Sequence, residues 1–239
     1  MGVSSELFDF LRGVDTCTVS NAIETFNVRM RNEGFVHGGV RCMFPHLPPV
    51  AGYAVTGRFR AAAPPISGLC YYQRLDFWNY VAGIPGPKII VMRDMDTMPG
   101  LGAMVGEIHA QIGKSLGCVA WLTNGAVRDL VQVREANFQC FASGATVSHS
   151  YAHVVDFGEP VEIDGLKIST GDLLHGDCNG IQSIPLSIAE RIPEAVERIR
   201  QREAELIRFC KSPDFNAAKL EQVLGETTPW GQLPAPGTQ

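Results

Sequence analysis

The chain has 239 residues, of which 45% are hydrophobic and 19% are charged. This composition is typical of a folded protein of one or two domains and argues against general disorder. The formal net charge of −5 leaves no basic excess for a broad nucleic-acid interface. No apolar run reaches the roughly 18 residues that a membrane helix needs. We therefore expect neither nucleic acid nor a membrane as a partner.

The N-terminus and the cysteines indicate the compartment. The first residues lack the basic region and apolar core of a secretory signal. Seven cysteines are scattered along the chain with no CxxC pair, which argues against a disulfide framework or a zinc ribbon. We expect most of them to be small buried residues in a reducing compartment, and we predict a cytoplasmic α/β protein.

The N-terminal part of the chain predicts short helices and a strand. Residues 6–13 and 18–26 are typical of two helices, the second with Thr18 as its N-cap. The loose alternation over 51–61 predicts a strand. The aromatic-rich stretch 69–82, which follows a Pro-Pro pair, predicts a further helix.

The clearest unit in the sequence is a predicted strand, helix and strand. Residues 88–92 and 118–122 are short continuous apolar runs, as in buried parallel strands. Between them, residues 102–116 place apolar side chains four apart on one helix face, at Met104, Ile108, Ile112 and Leu116. This spacing predicts a βαβ unit.

The C-terminal half predicts two hairpins and a long helix. An Asp-Gly turn divides 160–168 into two strands, and 171–185 is typical of two short strands around a turn. A charged helix is predicted from Pro193 onward. We assign a single domain to 1–211 and a Pro/Gly-rich tail to 212–239.

A glycine-rich segment precedes the helix of the βαβ unit. Its spacing over 100–106 is G-x-G-x-x-x-G, not the G-x-G-x-x-G of dinucleotide-binding folds, and the second strand ends at Asn124 where an acid is expected. Nicotinamide or S-adenosylmethionine binding is therefore disfavoured. Free backbone N–H groups at the start of the helix would still favour a small anion such as a carboxylate.

An Arg-Asp pair follows the second strand directly. Because the carboxyl ends of parallel strands share one sheet edge, Arg128, Asp129 and Glu107 are predicted to converge with the glycine-rich amides. An arginine fork suits a carboxylate, and two acids can hold a hard divalent cation. The alternative is a surface ion pair without a ligand.

The histidines are weaker candidates. His149 and His153 are four apart, but their stretch leads into strands, where this spacing separates them by about 13 Å. His109 either lines the predicted pocket or is solvated on a helix face, and His175 is typical of a strand residue near a turn. No G-x-S-x-G motif or phosphate loop is present.

Four stretches of the sequence resemble one family. They are DTCTVSNAIE at 15–24, VAGYAVTGRFRA at 50–61, the segment 100–130, which contains Gly-Glu and then Gly-x-x-Arg-Asp, and GDLLHGDCNGIQSIP at 171–185. They resemble the family of the RraA proteins and the class II 4-hydroxy-4-methyl-2-oxoglutarate/4-carboxy-4-hydroxy-2-oxoadipate aldolases. The resemblance implies an α/β/β/α sandwich of the swivelling phosphohistidine-domain type that assembles as a homotrimer or homohexamer.

The resemblance also implies a Mg²⁺- or Mn²⁺-dependent lyase that cleaves a small 2-oxo acid to pyruvate. The reaction would be aldol cleavage of a 4-hydroxy-4-methyl-2-oxoglutarate-type substrate, oxaloacetate decarboxylation, or both, through a metal-stabilised enolate. Asp129 would bind the metal and Arg128 the pyruvyl group. Glu107 would orient metal-bound water in the metal's outer shell.

Further site residues follow from the same resemblance. Backbone amides after Gly106, at Ile108 and His109, would bind the pyruvate carboxylate. A glutamate on the C-terminal helix of a neighbouring subunit, Glu203 or else Glu205, would complete the outer shell of the metal.

The sequence departs from the family pattern at two positions. Asn124 and Asn21 stand where the family usually has Asp, which leaves the natural substrate open. Non-catalytic regulators of the RraA type, which bind an RNA-degrading endonuclease, are the alternative function. A methyltransferase label also exists in the family, but this chain has no S-adenosylmethionine loop.

Overall fold

The computed structural model describes residues 2–66 and 74–225. Its helices within these ranges are α1 (Ser5–Leu11), α2 (Thr16–Glu24), α3 (Leu75–Gly83), α4 (Glu107–Ser115), α5 (Leu130–Glu135), α6 (Ile192–Cys210) and α7 (Ala217–Gly225). The strands there are β1 (Arg41–Cys42), β2 (Val50–Arg60), β3 (Lys88–Asp94), β4 (Ala103–Val105), β5 (Cys118–Thr123), β6 (Ala126–Val127), β7 (Gln139–Ala142), β8 (Gly144–Ala145), β9 (His153–Phe157), β10 (Val161–Ile163), β11 (Leu166–Ile168), β12 (Leu173–Asp177) and β13 (Gly180–Ile184).

Eight strands form one curved sheet. Their order is β1-β7-β5-β3-β2-β12-β13, and β9 pairs with β2 as well. The central strands β2, β3, β5 and β7 are parallel. Because β1 and β13, at the two ends, contact each other, the sheet is nearly closed and barrel-like. The predicted α/β class is confirmed, whereas its relation to the swivelling phosphohistidine-domain sandwich stays a prediction.

Alternate residues of the central strands bury opposite faces of this sheet. Ile90, Met92 and Trp121 pack with side chains of α3, α4 and α5. Ile89 and Leu122 pack on the inner face, which the β10–β11 hairpin fills. Helices α1, α2 and α6 form a third apolar cluster against β2, β12 and β13. Burial on both faces explains why β3 and β5 are continuous apolar runs.

The predicted βαβ unit is confirmed, but its helix begins later than expected. β3 and β5 are parallel neighbours, and α4 starts at Glu107. Residues Ala103–Val105 instead form β4, which pairs with β6, so their backbone groups are engaged in a ladder. Ile108, expected on the buried face, is 49% exposed, because the helix buries His109, Ala110 and Gly113 instead.

The other predicted elements are present with shifted ends. α2 begins at Thr16 because Asp15 is its N-cap, with a carboxylate oxygen that accepts from Thr18 N at 2.8 Å. The prediction of Thr18 as the cap was therefore wrong. Both hairpins are confirmed, as β10–β11 and β12–β13. The first residues of the helix predicted over 69–82 lie outside the described residues, and α3 covers its remainder.

The expectation about cysteine burial needs correction. Of the described cysteines, Cys118 and Cys140 are buried, Cys42 is half-buried and three are exposed, namely Cys17, Cys178 and Cys210. The expectation that most are buried was therefore wrong, and Cys70 lies outside the described residues.

Part of the predicted tail is helical. Residues 217–225 form α7, and Arg202 on α6 donates to Val223 O at 3.1 Å. The remainder of the tail, 226–239, lies outside the described residues. In the two described ranges, no helix combines the length and apolar character that crossing a membrane requires.

Candidate functional site

Three very short parallel strands organise the candidate site. β4, β6 and β8 form a separate sheet. Arg128 N donates to Val105 O at 3.0 Å, and Thr146 N donates to Val127 O at 3.1 Å. Since parallel strands end at one edge, the residues that follow the three strands lie side by side. These residues are 106–107, 128–129 and 146–147.

Asp129 joins two of these segments. One of its carboxylate oxygens, Oδ2, accepts from Glu107 N at 3.1 Å, and the other, Oδ1, accepts from Arg128 Nε at 3.3 Å. The Arg128 and Asp129 side chains are 28% and 31% exposed, so both are reachable from solvent. The structure thus brings Arg128 and Asp129 to the first residue of α4, as the sequence predicted, while their roles stay predictions.

Gly106 makes this close approach possible. A Cβ at this position would lie 2.5 Å from Asp129 Oδ2 and 2.8 Å from Arg128 Cγ. Its φ of −148° is accessible to any residue. Glycine is therefore required here for space rather than for backbone conformation.

The first turn of α4 places backbone amides beside the pair. Glu107 and Ile108 are exposed, and the N–H groups of a first helical turn have no carbonyl partner within the helix. The positive end of the helix dipole adds to their attraction for an anion. This environment favours a carboxylate near the amide of Ile108, and the binding role that the resemblance implies for the amides of Ile108 and His109 stays a prediction.

The side chain of His109 points away from this edge. It is fully buried, with its ring centroid 5.6 Å from that of Trp78 and 5.8 Å from that of Trp121. Burial lowers the pKa of His109 from 6.5 to about 3. The expectations that this side chain lines the pocket or is solvated were wrong, because it packs against Trp78 and Trp121 in the core.

This burial predicts a pH-dependent stability. His109 stays neutral in the fold but gains a proton in the unfolded chain below pH 6.5, so its contribution falls as the pH drops toward the folded pKa. We expect the free energy of unfolding to fall by about 1.5 kcal/mol between pH 6.5 and 5 because of this group. His175, whose pKa is also lowered by burial, adds to the slope.

Urea denaturation at several pH values measures this effect. The variant His109→Phe should show a shallower slope than the wild type, whereas His46→Gln, at an exposed position, should leave the slope unchanged. Equal slopes in all three proteins would contradict the assignment.

The donor set suits a hard divalent cation. The carboxylates of Asp129 and Glu107 belong to adjacent segments of one edge. Mg²⁺ commonly binds one or two carboxylates and takes its other ligands from water and substrate. No group of three His, Cys, Asp or Glu side chains that could hold a metal occurs in residues 2–66 and 74–225, so a cation bound here would take most of its ligands from water and substrate.

Glu203 lies elsewhere in the chain. It is half-buried on α6, a helix that packs mainly against α2. No hydrogen bond or ion pair within the described part of the chain joins it to Asp129 or Glu107. Its predicted role therefore depends on a neighbouring subunit.

Asn124 and Asp94 fix the ends of the two strands that precede the site. Asn124 Oδ1 accepts from Asp94 N at 2.8 Å, and Asn124 Nδ2 donates to Asp94 O at 3.1 Å. An aspartate at position 124 could accept the first of these hydrogen bonds but could not donate the second. The Asp94 carboxylate accepts from Gly100 N at 2.8 Å, and burial raises its pKa.

A groove of about 460 Å³ opens beside Arg128. Residues 128–132 and 145–147 line it. The second wall of the groove was not predicted from the sequence, because β8 has only two residues. A signal was nevertheless present: each short strand begins at a Gly-Ala dipeptide, at 102–103, 125–126 and 144–145, and these are the three such dipeptides of the chain.

Two of the other histidines lie in strands of the large sheet. His153 is in β9, as its strand-rich context predicted, and its Nδ1 lies 2.8 Å from Tyr151 O. His175 is buried in β12, with Nε2 3.0 Å from Leu11 O.

Comparison with known proteins places this chain in a family. The family profile described as Aldolase/RraA matches residues 16–182. The chain is 27% identical over 115 residues to "Putative 4-hydroxy-4-methyl-2-oxoglutarate aldolase" of Halalkalibacterium halodurans, covering 48% of this chain and 53% of that protein. It is also 27% identical over 123 residues to Protein DlpA of Legionella pneumophila, covering 50% of this chain and 19% of DlpA. The matched region thus spans about half or less of these relatives.

Solved structures share the fold. A protein of Pseudomonas syringae gives a TM-score of 0.72 at 20% identity, covering 95% of this chain and 96% of the other. RraAS2 of Streptomyces coelicolor, described as an unusual member of the RNase ES inhibitor RraA protein family, gives 0.65 at 21% identity, covering 85% and 96%. With the profile matched across residues 16–182, the chain belongs to the RraA-like family.

Proposed function

We propose that this chain is a divalent-metal-dependent carbon–carbon lyase that releases pyruvate from a small 2-oxo acid. The observation that carries the proposal is the placement of Arg128 and Asp129 at the first turn of α4, beside an open groove. The candidate reactions are aldol cleavage of 4-hydroxy-4-methyl-2-oxoglutarate-type substrates and oxaloacetate decarboxylation. The name of the Halalkalibacterium relative, "Putative 4-hydroxy-4-methyl-2-oxoglutarate aldolase", supports the first of these.

Arg128 and the helix amides bind the pyruvyl half of the substrate. Arg128 Nε is engaged by Asp129, while its Nη groups make no hydrogen bond within the described residues and can bind the 2-oxo acid. The amides of Ile108 and His109 receive the carboxylate. This binding orients the bond to be broken toward the groove.

Residues of the site also stabilise the charge of the enolate and hold the water that accepts the proton of the substrate hydroxyl. Both candidate reactions leave an enolate on the pyruvyl half, and Arg128 stabilises the negative charge that develops there. Asp129 would hold Mg²⁺ or Mn²⁺ with Glu107 in the outer shell, and the metal would supply Lewis-acid stabilisation of the same charge. In the aldol reaction, the exposed Glu107 carboxylate holds a water molecule that takes the proton of the substrate hydroxyl.

Metal removal tests the proposal directly. We expect purified protein to release pyruvate from oxaloacetate in a coupled assay, EDTA to abolish the release, and added Mg²⁺ or Mn²⁺ to restore it. The matched blank is the same metal and substrate without protein, since oxaloacetate decarboxylates slowly by itself. Turnover that resists EDTA would reject the metal, and absence of turnover above the blank with every 2-oxo acid would favour the RraA-type regulator.

We also propose that the site is completed in a homotrimer or homohexamer. The helix α6 carries Glu203 and leaves Ile207 52% exposed, so it has an apolar position free to contact a neighbour. Light scattering should give a mass of three or six chains, and Glu203→Gln should weaken metal binding without dissociating the assembly. A fully active monomer would contradict this part of the proposal.

A further inference from the structure

The groove beside Arg128 has a hydrocarbon wall. Leu130, Val131 and Val147 are 37%, 53% and 94% exposed, and all three line the groove together with Ala145. The other lining residues beyond the Arg-Asp pair, Gln132 and Thr146, are uncharged. Apolar surface of this kind favours an apolar occupant, because burying it removes the surface from water.

Among the described residues of one chain, a single cation lines this groove. The charged residues that line the groove are Arg128 and Asp129. Arg128 Nε already donates a hydrogen bond to Asp129. The groove therefore offers one remaining guanidinium edge, which suits one carboxylate or 2-oxo group. A second carboxylate, placed against the apolar wall, would lose water without gaining a positive partner.

We infer, resting on the proposed function, that the preferred substrate is a 4-hydroxy-2-oxo acid whose distal half is an uncharged alkyl group. Its pyruvyl half binds at Arg128 and the amides of α4, and its alkyl group lies along Val131 and Val147. The apolar wall and Arg128 line the same groove. We therefore assign the groove to the substrate and not to an unrelated partner.

The reaction of such a substrate is a balanced retro-aldol cleavage. The C3–C4 bond breaks, and its electron pair passes to C3 to form the pyruvate enolate. The C4 hydroxyl loses its proton to water and becomes the carbonyl of an aldehyde. Protonation at C3 then gives pyruvate, so the products are pyruvate and an alkyl aldehyde without any oxidant or reductant.

Two substrates of equal carbon chain length test the inference. In 4-hydroxy-2-oxopentanoate the fifth carbon is a methyl group, and in 4-hydroxy-2-oxoglutarate it is a carboxylate. With the full chain and Mn²⁺, we expect kcat/KM to be at least tenfold higher for the pentanoate. Lengthening its alkyl group by one methylene should raise kcat/KM again, by up to about tenfold.

A positive charge placed on the wall should weaken this preference. Val147→Lys adds a cation at a position that is 94% exposed, where a lysine fits without disturbing the core. We expect it to shift the ratio of the two kcat/KM values at least tenfold toward the dicarboxylate. The matched control is Val155→Lys, on β9 and 44% exposed, which is outside the groove and should leave the ratio unchanged.

The outcomes separate this inference from the proposed function. Pyruvate release that favours the dicarboxylate in the wild type overturns the inference and leaves the proposed function standing. No release from either substrate, or from oxaloacetate, overturns both. If Val147→Lys alters the mass in solution but not the ratio, Val147 belongs to a contact between copies, and the inference fails.

Discussion

Asp129→Asn is expected to weaken the binding of Mn²⁺ at least tenfold and to lower pyruvate release in parallel. The substitution keeps the shape of the side chain and removes the negative charge that a hard cation requires. Asp129 has a φ of 53°, in the left-handed region, which asparagine tolerates better than most residues. The turn should therefore keep its conformation, and an excess of metal should restore part of the activity.

The control for this variant is a second Arg-Asp pair. Asp156 accepts hydrogen bonds from Arg58 Nε and Nη2, both at 2.6 Å, and its side chain is 35% exposed, so Asp156→Asn breaks a similarly exposed ion pair outside the groove. It should change neither metal binding nor pyruvate release. Calorimetric titration with Mn²⁺ measures the first quantity independently of activity. An unaltered Mn²⁺ affinity in Asp129→Asn would identify the turn as an ion pair without a metal role.

Arg128→Lys is expected to lower turnover by one or more orders of magnitude while Mn²⁺ affinity stays nearly unchanged. Lysine keeps the positive charge but lacks the planar fork that contacts two oxygens at once. The contact should matter most as the enolate forms, and loss of a donor to a developing oxyanion typically costs about 2.7–4 kcal/mol.

The same surface pair provides the control here. Arg58→Lys should leave both kcat and metal binding unchanged. A pyruvate-release rate in Arg128→Lys equal to that of the wild type would reject the substrate-binding role, and the regulator interpretation would then be preferred. If Asp129→Asn lowers Mn²⁺ affinity while Arg128→Lys lowers turnover alone, the two residues have separate tasks.

The long, strongly patterned elements were predictable from the sequence. β3 and β5 are buried on both faces, so each appears as an unbroken apolar run, and the two hairpins have turn residues between alternating strands. The convergence of Arg128 with Glu107 followed from a general property of parallel sheets, although the edge belongs to the separate β4-β6-β8 sheet and not to β3 and β5, from which it was predicted. These features depend on the local residue pattern and on the rule that the carboxyl ends of parallel strands share one sheet edge.

The features that the sequence did not predict depend on tertiary contacts. β4, β6 and β8 have two or three residues each, too few for a period to be measured, and β4 continues the apolar spacing of α4 so that the two appear as one helix. The burial of His109 depends on Trp78 and Trp121, which lie far from it in the sequence. The groove's second wall comes from a segment that carries no ionisable residue among 145–147.

The missing side chain at position 106 has a consequence for the divergence of this family. A Cβ atom at position 106 would lie 2.5 Å from Asp129 Oδ2. Any residue larger than glycine would therefore collide with the Asp129 carboxylate where that carboxylate contacts the first turn of α4. A lineage that has given up the carboxylate is released from this restriction and can accumulate substitutions at 106. The residue found there should therefore distinguish members that still need the Arg-Asp turn in this shape from members that have kept only the scaffold.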